Sequence, residues 1–196
     1  MKNKGLMIVF SGPSGSGKGT ILQEVLKDDS SVMLSISATT RLPREGEQNG
    51  VNYFFLQKEA FEEMIANDGM LEHACYCGNY YGTPRKPVET AMEEGKDVVL
   101  EIEVQGALQI KKKFPECITI FILPPSMEVL EHRLRKRQTE DEPTIQKRLA
   151  QAKEELKLAA QYDYVVVNGE LETAVDDMKA ILRAEHCRAA RTEIMI

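Results

Sequence analysis

One nine-residue stretch constrains this chain more than any other: Gly12-Pro13-Ser14-Gly15-Ser16-Gly17-Lys18-Gly19-Thr20. The apolar run Leu6–Ser11 precedes it, and Ile21, Leu22, Val25 and Leu26 follow at the spacing of an amphipathic helix. A glycine-rich turn between strand and helix aims backbone amides inward, where they cradle phosphate oxygens beside the positive end of the helix dipole. Lys18 stands where it can reach the β- and γ-phosphates of a nucleoside triphosphate. The strict pattern has Ser or Thr directly after the lysine, to meet Mg²⁺, but Gly19 occupies that place. No strong protein ligand for the metal is therefore expected. Thr20 is the candidate hydroxyl, with phosphates and water holding the rest of the ion. The dinucleotide fingerprint would need glycine at position 20 and fails.

The remaining chain alternates short apolar runs with helical patterns. Strands are expected at Met33–Ser37, Asp97–Glu103, Cys117–Leu123 and Tyr164–Val167, besides Leu6–Ser11. Helices are expected at Lys18–Lys27, Gln105–Phe114, Ser126–Arg137, Thr144–Ala160 and Leu171–Arg188. Nearly continuous apolar strands separated by helices imply a parallel sheet covered on both faces. The expected fold is α/β: a P-loop three-layer α/β/α core with a five-stranded parallel sheet. Residues 38–84 break the rhythm with aromatics and Gly/Pro punctuation, and read as a small insertion of short antiparallel strands with one helix, Lys58–Asn67. Residues 125–150 are charge-dense and read as a helical lid. The core then comprises 1–37, 85–124 and 151–196.

Composition narrows the function. With 25 Lys and Arg against 31 Asp and Glu, the net charge is −6. Proteins that coat nucleic-acid phosphates carry a basic excess, so no nucleic-acid partner is expected. No apolar run approaches the roughly 18 residues of a membrane span, and the N-terminal run ends in the phosphate loop rather than a cleavage site. A cytoplasmic protein is expected. Cys75, Cys77, Cys117 and Cys187 form no CxxC pair and read as reduced thiols. His73, His132 and His186 lack nucleophile or metal partners at useful spacing and read as structural. The run Lys111–Lys113 reads as a C-terminal helix cap.

The insertion carries a second set of polar groups. In Ser35-Ile36-Ser37-Ala38-Thr39-Thr40-Arg41-Leu42-Pro43-Arg44-Glu45-Gly46-Glu47, two arginines flank a proline and can grip one phosphate from two directions. Tyr53, Tyr80 and Tyr81 add neutral donors. Glu72 is a carboxylate that can accept from two N–H donors at once, as guanine offers at N1 and N2 and adenine does not. In the lid, Arg133 and Arg137 are i, i+4 and share a helix face, Arg148 lies on the next helix, and Arg135 points away from them. Glu101 and Glu103 lie two apart at the end of what reads as the central strand and project to one side.

These stretches together resemble the guanylate kinase family. GPSGSGKGT, S-x-S-x-x-TR-x-PR-x-GE, E-x(5)-GNYYG-T and E-I-E-V-QG stand in the family's order and spacing, and the resemblance runs from the first strand to Asn168. It implies transfer of the γ-phosphoryl group of ATP to GMP or dGMP, with Mg²⁺, giving ADP and GDP or dGDP. By the same resemblance Ser37, Glu72 and Thr83 read guanine; Arg41, Arg44, Tyr53 and Tyr81 hold the GMP phosphate; and Glu101 and Glu103 border the acceptor. Glu103 stands where many members have Asp. Residues 12–20 and Asn168, on the adenine side, hold ATP. Lys18, Arg41, Arg133, Arg137 and Arg148 surround the moving phosphoryl group. Monomer and homodimer both stay open. A same-fold kinase for another phosphorylated acceptor would be expected to lack Glu72 and the paired tyrosines. A non-catalytic adaptor domain would be expected to lose the phosphate loop.

Overall fold

The computed structural model describes residues 4–76, 78–136 and 141–191. Its core is a five-stranded sheet of β1 (Met7–Ser11), β2 (Val32–Leu34), β7 (Asp97–Glu101), β8 (Ile118–Leu123) and β9 (Tyr164–Val167), in the order β2-β7-β1-β8-β9. Every pairing is parallel. All five residues of β1 are buried, which identifies β1 as the centre of the sheet in place of the 97–103 strand.

Alternation along β1 builds the three layers. Ile8 and Phe10 face one core with α1 (Lys18–Asp28) and α7 (Leu171–His186), through Ile21, Leu22, Val25, Ala174, Met178 and Leu182. Met7 and Val9 face the other, with α3 (Arg85–Glu93) and α4 (Val104–Lys113), through Val88, Ala91, Val104, Ala107 and Ile110. Each fully buried Ile, Leu or Phe stabilises the fold by about 1.5–3 kcal/mol, so this central strand anchors the phosphate loop that leaves its end.

The insertion is a separate four-stranded sheet, β4-β3-β6-β5, of β3 (Ala38–Thr39), β4 (Phe54–Phe55), β5 (Met70–Tyr76) and β6 (Asn79–Pro84). Its pairings are antiparallel except β3 with β4. Helix α2 (Lys58–Ala66) closes it around Phe61, Ala38 and Met70. The charge-dense segment holds α5 (Met127–Lys136) and α6 (Glu142–Leu156), joined by their own small core of Leu130, Leu134, Ile145 and Leu149. Ser126 Oγ accepts from Val129 N at 3.3 Å, as an N-cap does.

Four expectations change. The strand read at 33–37 ends at Leu34, and the chain then crosses into the second sheet. The strand read to Glu103 ends at Glu101, and Glu103 becomes the N-cap of α4. The long helix breaks after Leu156 into a short 3-10 turn at Ala159–Gln161. Lys111 and Lys113 do not cap their own helix: Lys111 pairs with Asp163, and Lys113 donates to Leu71 O at 3.1 Å. Helix α3 went unread because Pro87 sits in its first turn, where proline is tolerated but obscures the helical pattern.

Candidate active site

The phosphate loop is bent by its glycines and braced by side chains from α5 and α6. Gly17 is the N-cap of α1 at φ 91, and a Cβ there would lie 2.2 Å from Asn168 Nδ2. Only glycine satisfies both conditions. Because that cap has no side chain, no side-chain oxygen competes with an anion for the N-terminus of α1. Asn168 Nδ2 donates to Ser16 O at 2.7 Å, and Arg133 Nη1 donates to the same oxygen at 3.3 Å. Arg133 Nη2 also donates to Asn168 O at 3.0 Å, and Arg148 Nη1 reaches Ser14 Oγ at 2.6 Å. Lys18 Nζ folds back on Gly12 O at 2.6 Å and Pro13 O at 3.2 Å. Arg133 of α5, Arg148 of α6 and Asn168 thus grip the loop directly. Arg135 pairs instead with Glu131 and Glu142, away from the loop. Arg137 lies outside the described residues.

On the acceptor side, Glu72 pairs across β5 and β6 with Thr83. A β-bulge between Met70 and Glu72 sets the register there. Thr83 Oγ1 donates to Glu72 Oε1 at 2.8 Å, and Glu72 is only 6% exposed. Burial pushes its carboxyl above the ordinary value, and the Thr83 bonds offset part of that. Ser37, Tyr53, Glu72, Tyr81, Gly82 and the stretch Glu101–Glu103 line a cavity of about 290 Å³, with Gln105 and Gly106 at its α4 side.

Arg41 is held rather than free. Its Nη1 and Nη2 each meet a Glu47 oxygen at 2.9 Å, and its guanidinium lies 5.5 Å from the Tyr53 ring centre. Those bonds, with the Arg44 amide, hold the Glu47 carboxyl down at about 2. The Arg44 side chain is exposed beside this pair.

A second cavity, about 430 Å³, joins the halves. Gly12, Ser14, Lys18 and Arg148 line its loop side; Tyr53, Glu101, Ile102 and Glu103 line its acceptor side. Glu101 is half-buried, and burial raises its carboxyl while Lys18 counters in part. Although Glu103 has left the strand, it borders both cavities with Glu101. Two further cavities follow the loop. One is lined by Lys18, Gly19, Thr20, Gln23 and Glu101, the other by Gly17, Thr20, Arg133, Asn168 and Gly169. Gly19 and Thr20 are exposed. Among the described residues no three His, Cys, Asp or Glu side chains cluster to hold a metal.

Three participants escaped sequence reasoning. Glu47 closes the Arg41–Arg44 motif, and its spacing from those two arginines is the sequence signal for its pairing with Arg41. Gln151 and Glu155, on α6, enter the joining cavity. Glu155 follows Arg148 by seven residues, two helical turns, and therefore shares its face. Asn168 does more than border the base side, since it bonds the loop.

A glycine-rich loop leaving the central strand of a parallel α/β/α sheet, beside two small modules that flank one cleft, defines a P-loop kinase. Comparison with known proteins narrows the class. The guanylate kinase family model matches residues 4–185. A guanylate kinase of Desulfitobacterium hafniense is 55% identical over 190 residues, covering 97% of this chain and 95% of that protein. The crystal structure of guanylate kinase from Anaplasma phagocytophilum superposes at TM-score 0.78 with 36% identity, covering 97% and 90% of the two chains. A shikimate kinase from Bacteroides thetaiotaomicron, at 15% identity and TM-score 0.50 over 91% of this chain and 98% of that one, shares the fold alone. The chain belongs to the guanylate kinase family.

Proposed function

We propose that this chain transfers the γ-phosphoryl group of ATP to GMP or dGMP, giving ADP and GDP or dGDP. The observation that carries the reading is Glu72: a buried carboxylate, tied to Thr83, on the wall of a cavity that opens toward the phosphate loop through shared residues Tyr53, Glu101 and Glu103. Guanine offers two adjacent N–H donors to such a group, and Ser37 and Thr83 complete the base contacts. Arg41, Arg44, Tyr53 and Tyr81 take the acceptor phosphate. The loop 12–20 and Asn168 take ATP, with Lys18 on its β- and γ-phosphates.

The two phosphates then meet in the joining cavity. Phosphoryl transfer is catalysed by positioning and by stabilising charge on the equatorial oxygens. Lys18, Arg41, Arg133 and Arg148 supply that charge, with Arg137 assigned to the same task from its sequence spacing to Arg133. The nucleophile is already a phosphate oxygen, so no strong general base and no covalent intermediate are needed. Glu101 and Glu103, on the wall of the joining cavity, bound the acceptor from below.

Mg²⁺ fits the oxygen-rich donor set around Thr20 and Glu101. Gly19 offers no hydroxyl, so the Thr20 hydroxyl and the nucleotide's own phosphates would hold the ion. When bound it neutralises phosphate charge. Cytoplasmic placement belongs to the same reading, as do ATP and GMP as substrates; no helix among the described residues is long and apolar enough to cross a membrane. The test is an ADP-release assay with ATP and each nucleoside monophosphate in turn. GMP should outrun AMP, CMP and UMP by at least about a hundredfold. Equal rates, or preference for another acceptor, would overturn the reading.

A further inference from the structure

The Glu72 carboxylate has an unusual neighbour. Gly106 lies in the first turn of α4, two residues past Val104. A Cβ built there would lie 2.9 Å from Glu72 Oε2, 3.4 Å from its Cδ and 3.7 Å from its Cγ. These three atoms of one side chain are the nearest neighbours of that point. The glycine is therefore not demanded by backbone conformation, since its φ is that of an ordinary helical residue. It is demanded by the close approach of one carboxylate.

The surroundings decide what yields when that space is filled. Helix α4 cannot retreat: Val104, Ala107 and Ile110 are buried in the core, and Lys113 at its far end donates to Leu71 O, the residue before Glu72. Strand β5 cannot retreat either, because it is paired to β6 along its length. The end of the Glu72 side chain is the movable part, and its other oxygen is fixed by Thr83 at 2.8 Å. A methyl group at 106 would push the carboxylate off the Thr83 hydroxyl and out of line with the cavity wall.

We propose that Gly106 is a positioning residue for base selection: its missing side chain is the space that lets Glu72 stand where guanine is read. This rests on the guanine reading of Glu72 given above. The base pocket is then made by a core helix and an insertion strand together, and its selectivity depends on how closely the two approach.

The test is steady-state kinetics of Gly106→Ala, Glu72→Gln and the double variant with ATP and either GMP or IMP, which lacks the 2-amino donor. Thermal melting and ADP affinity are measured beside them. For Gly106→Ala the KM for GMP should rise about tenfold with kcat changed much less, and the preference for GMP over IMP should fall by a similar factor. ADP affinity should stay as in the parent protein. The melting temperature should stay close to the parent's, because alanine is the better helix former and offsets much of the disturbed Thr83 bond. Adding Gly106→Ala to Glu72→Gln should change the GMP preference no further, since both act through one carboxylate. Parent-like KM and preference in Gly106→Ala, a loss that follows a fall in melting temperature, or additive losses in the double variant would each overturn the proposal. If Glu72→Gln itself leaves the GMP preference intact, the guanine reading fails with it. If Glu72→Gln abolishes the preference and Gly106→Ala does not, only the role of Gly106 fails.

Discussion

In the phosphate loop the backbone forms the site. Gly12, Gly15 and Gly17 take positive φ, no side chain caps the N-terminus of α1, and the side chains nearby (Asn168, Arg133, Arg148) hold the loop from outside. The acceptor cavity is built the other way round. Its backbone is ordinary sheet and helix, and its wall is made largely by the side chains of Ser37, Tyr53, Glu72, Tyr81, Glu101 and Glu103. On the function proposed above, one half tolerates little change in backbone shape and holds phosphate, and the other reads a base through a few atoms whose exact placement matters. A kinase that must use one common donor and one particular acceptor needs that division.

Substitutions should separate the halves. The largest effect is expected for Lys18→Ala, which removes the one lysine of the loop. Turnover should fall by at least about a thousandfold, with GMP binding and melting temperature close to the parent. Parent-like turnover would break the donor half of the account. Next comes Arg148→Ala, which deletes the bond to Ser14 Oγ and a charge at the joining cavity. It should lower kcat by about a hundredfold while the KM for GMP moves little; the reverse split would move Arg148 to the acceptor half.

A smaller effect is expected for Glu47→Ala, which releases Arg41 from its two bonds. The KM for GMP should rise by about five- to tenfold, and ATP affinity should not change. The pair also has a pH signature. The Glu47 carboxyl sits at about 2 in the folded protein against an ordinary 4.5, so it contributes stability above 4.5 that is lost as the pH falls toward 2. Glu47→Ala should therefore flatten part of the acid limb between those values and lower stability modestly at neutral pH, where that contribution is fully present. The least change is expected from thiol labelling. Cys117 is buried in the core sheet and burial pushes its thiol up to about 11, whereas Cys75 is exposed in the insertion. Native protein at pH 8 should be alkylated at Cys75 and protected at Cys117; equal labelling would mean that the core opens as readily as the insertion.

The two halves also differ in how far the sequence alone discloses them. The loop was legible because glycine spacing specifies backbone geometry directly, and the flanking strand and helix have clear periodicity. The acceptor cavity was not legible from any local pattern. Glu72 by itself looks like a surface carboxylate, and its burial follows from pairing with Thr83 eleven residues away and from Gly106, on a helix thirty-four residues downstream. Family resemblance supplied those assignments, and the cavity brings together Ser37, Tyr53, Glu72, Tyr81, Glu101 and Glu103 with Thr83 bonded behind. What resemblance left unread were the contacts that hold functional groups in place: Glu47 on Arg41, Asn168 on the loop, and the space at Gly106. Such contacts depend on distances of tenths of an ångström between segments far apart in the chain. Helix α3 and the end of the 97–101 strand were misjudged for a plainer reason, since proline and a helix N-cap blur local periodicity.

The most direct test of the division is calorimetric titration of GMP and of ADP, each alone, into the parent protein and Glu72→Gln. The account predicts that GMP affinity falls at least about tenfold and ADP affinity stays constant. Equal weakening of both ligands, or of neither, would contradict it.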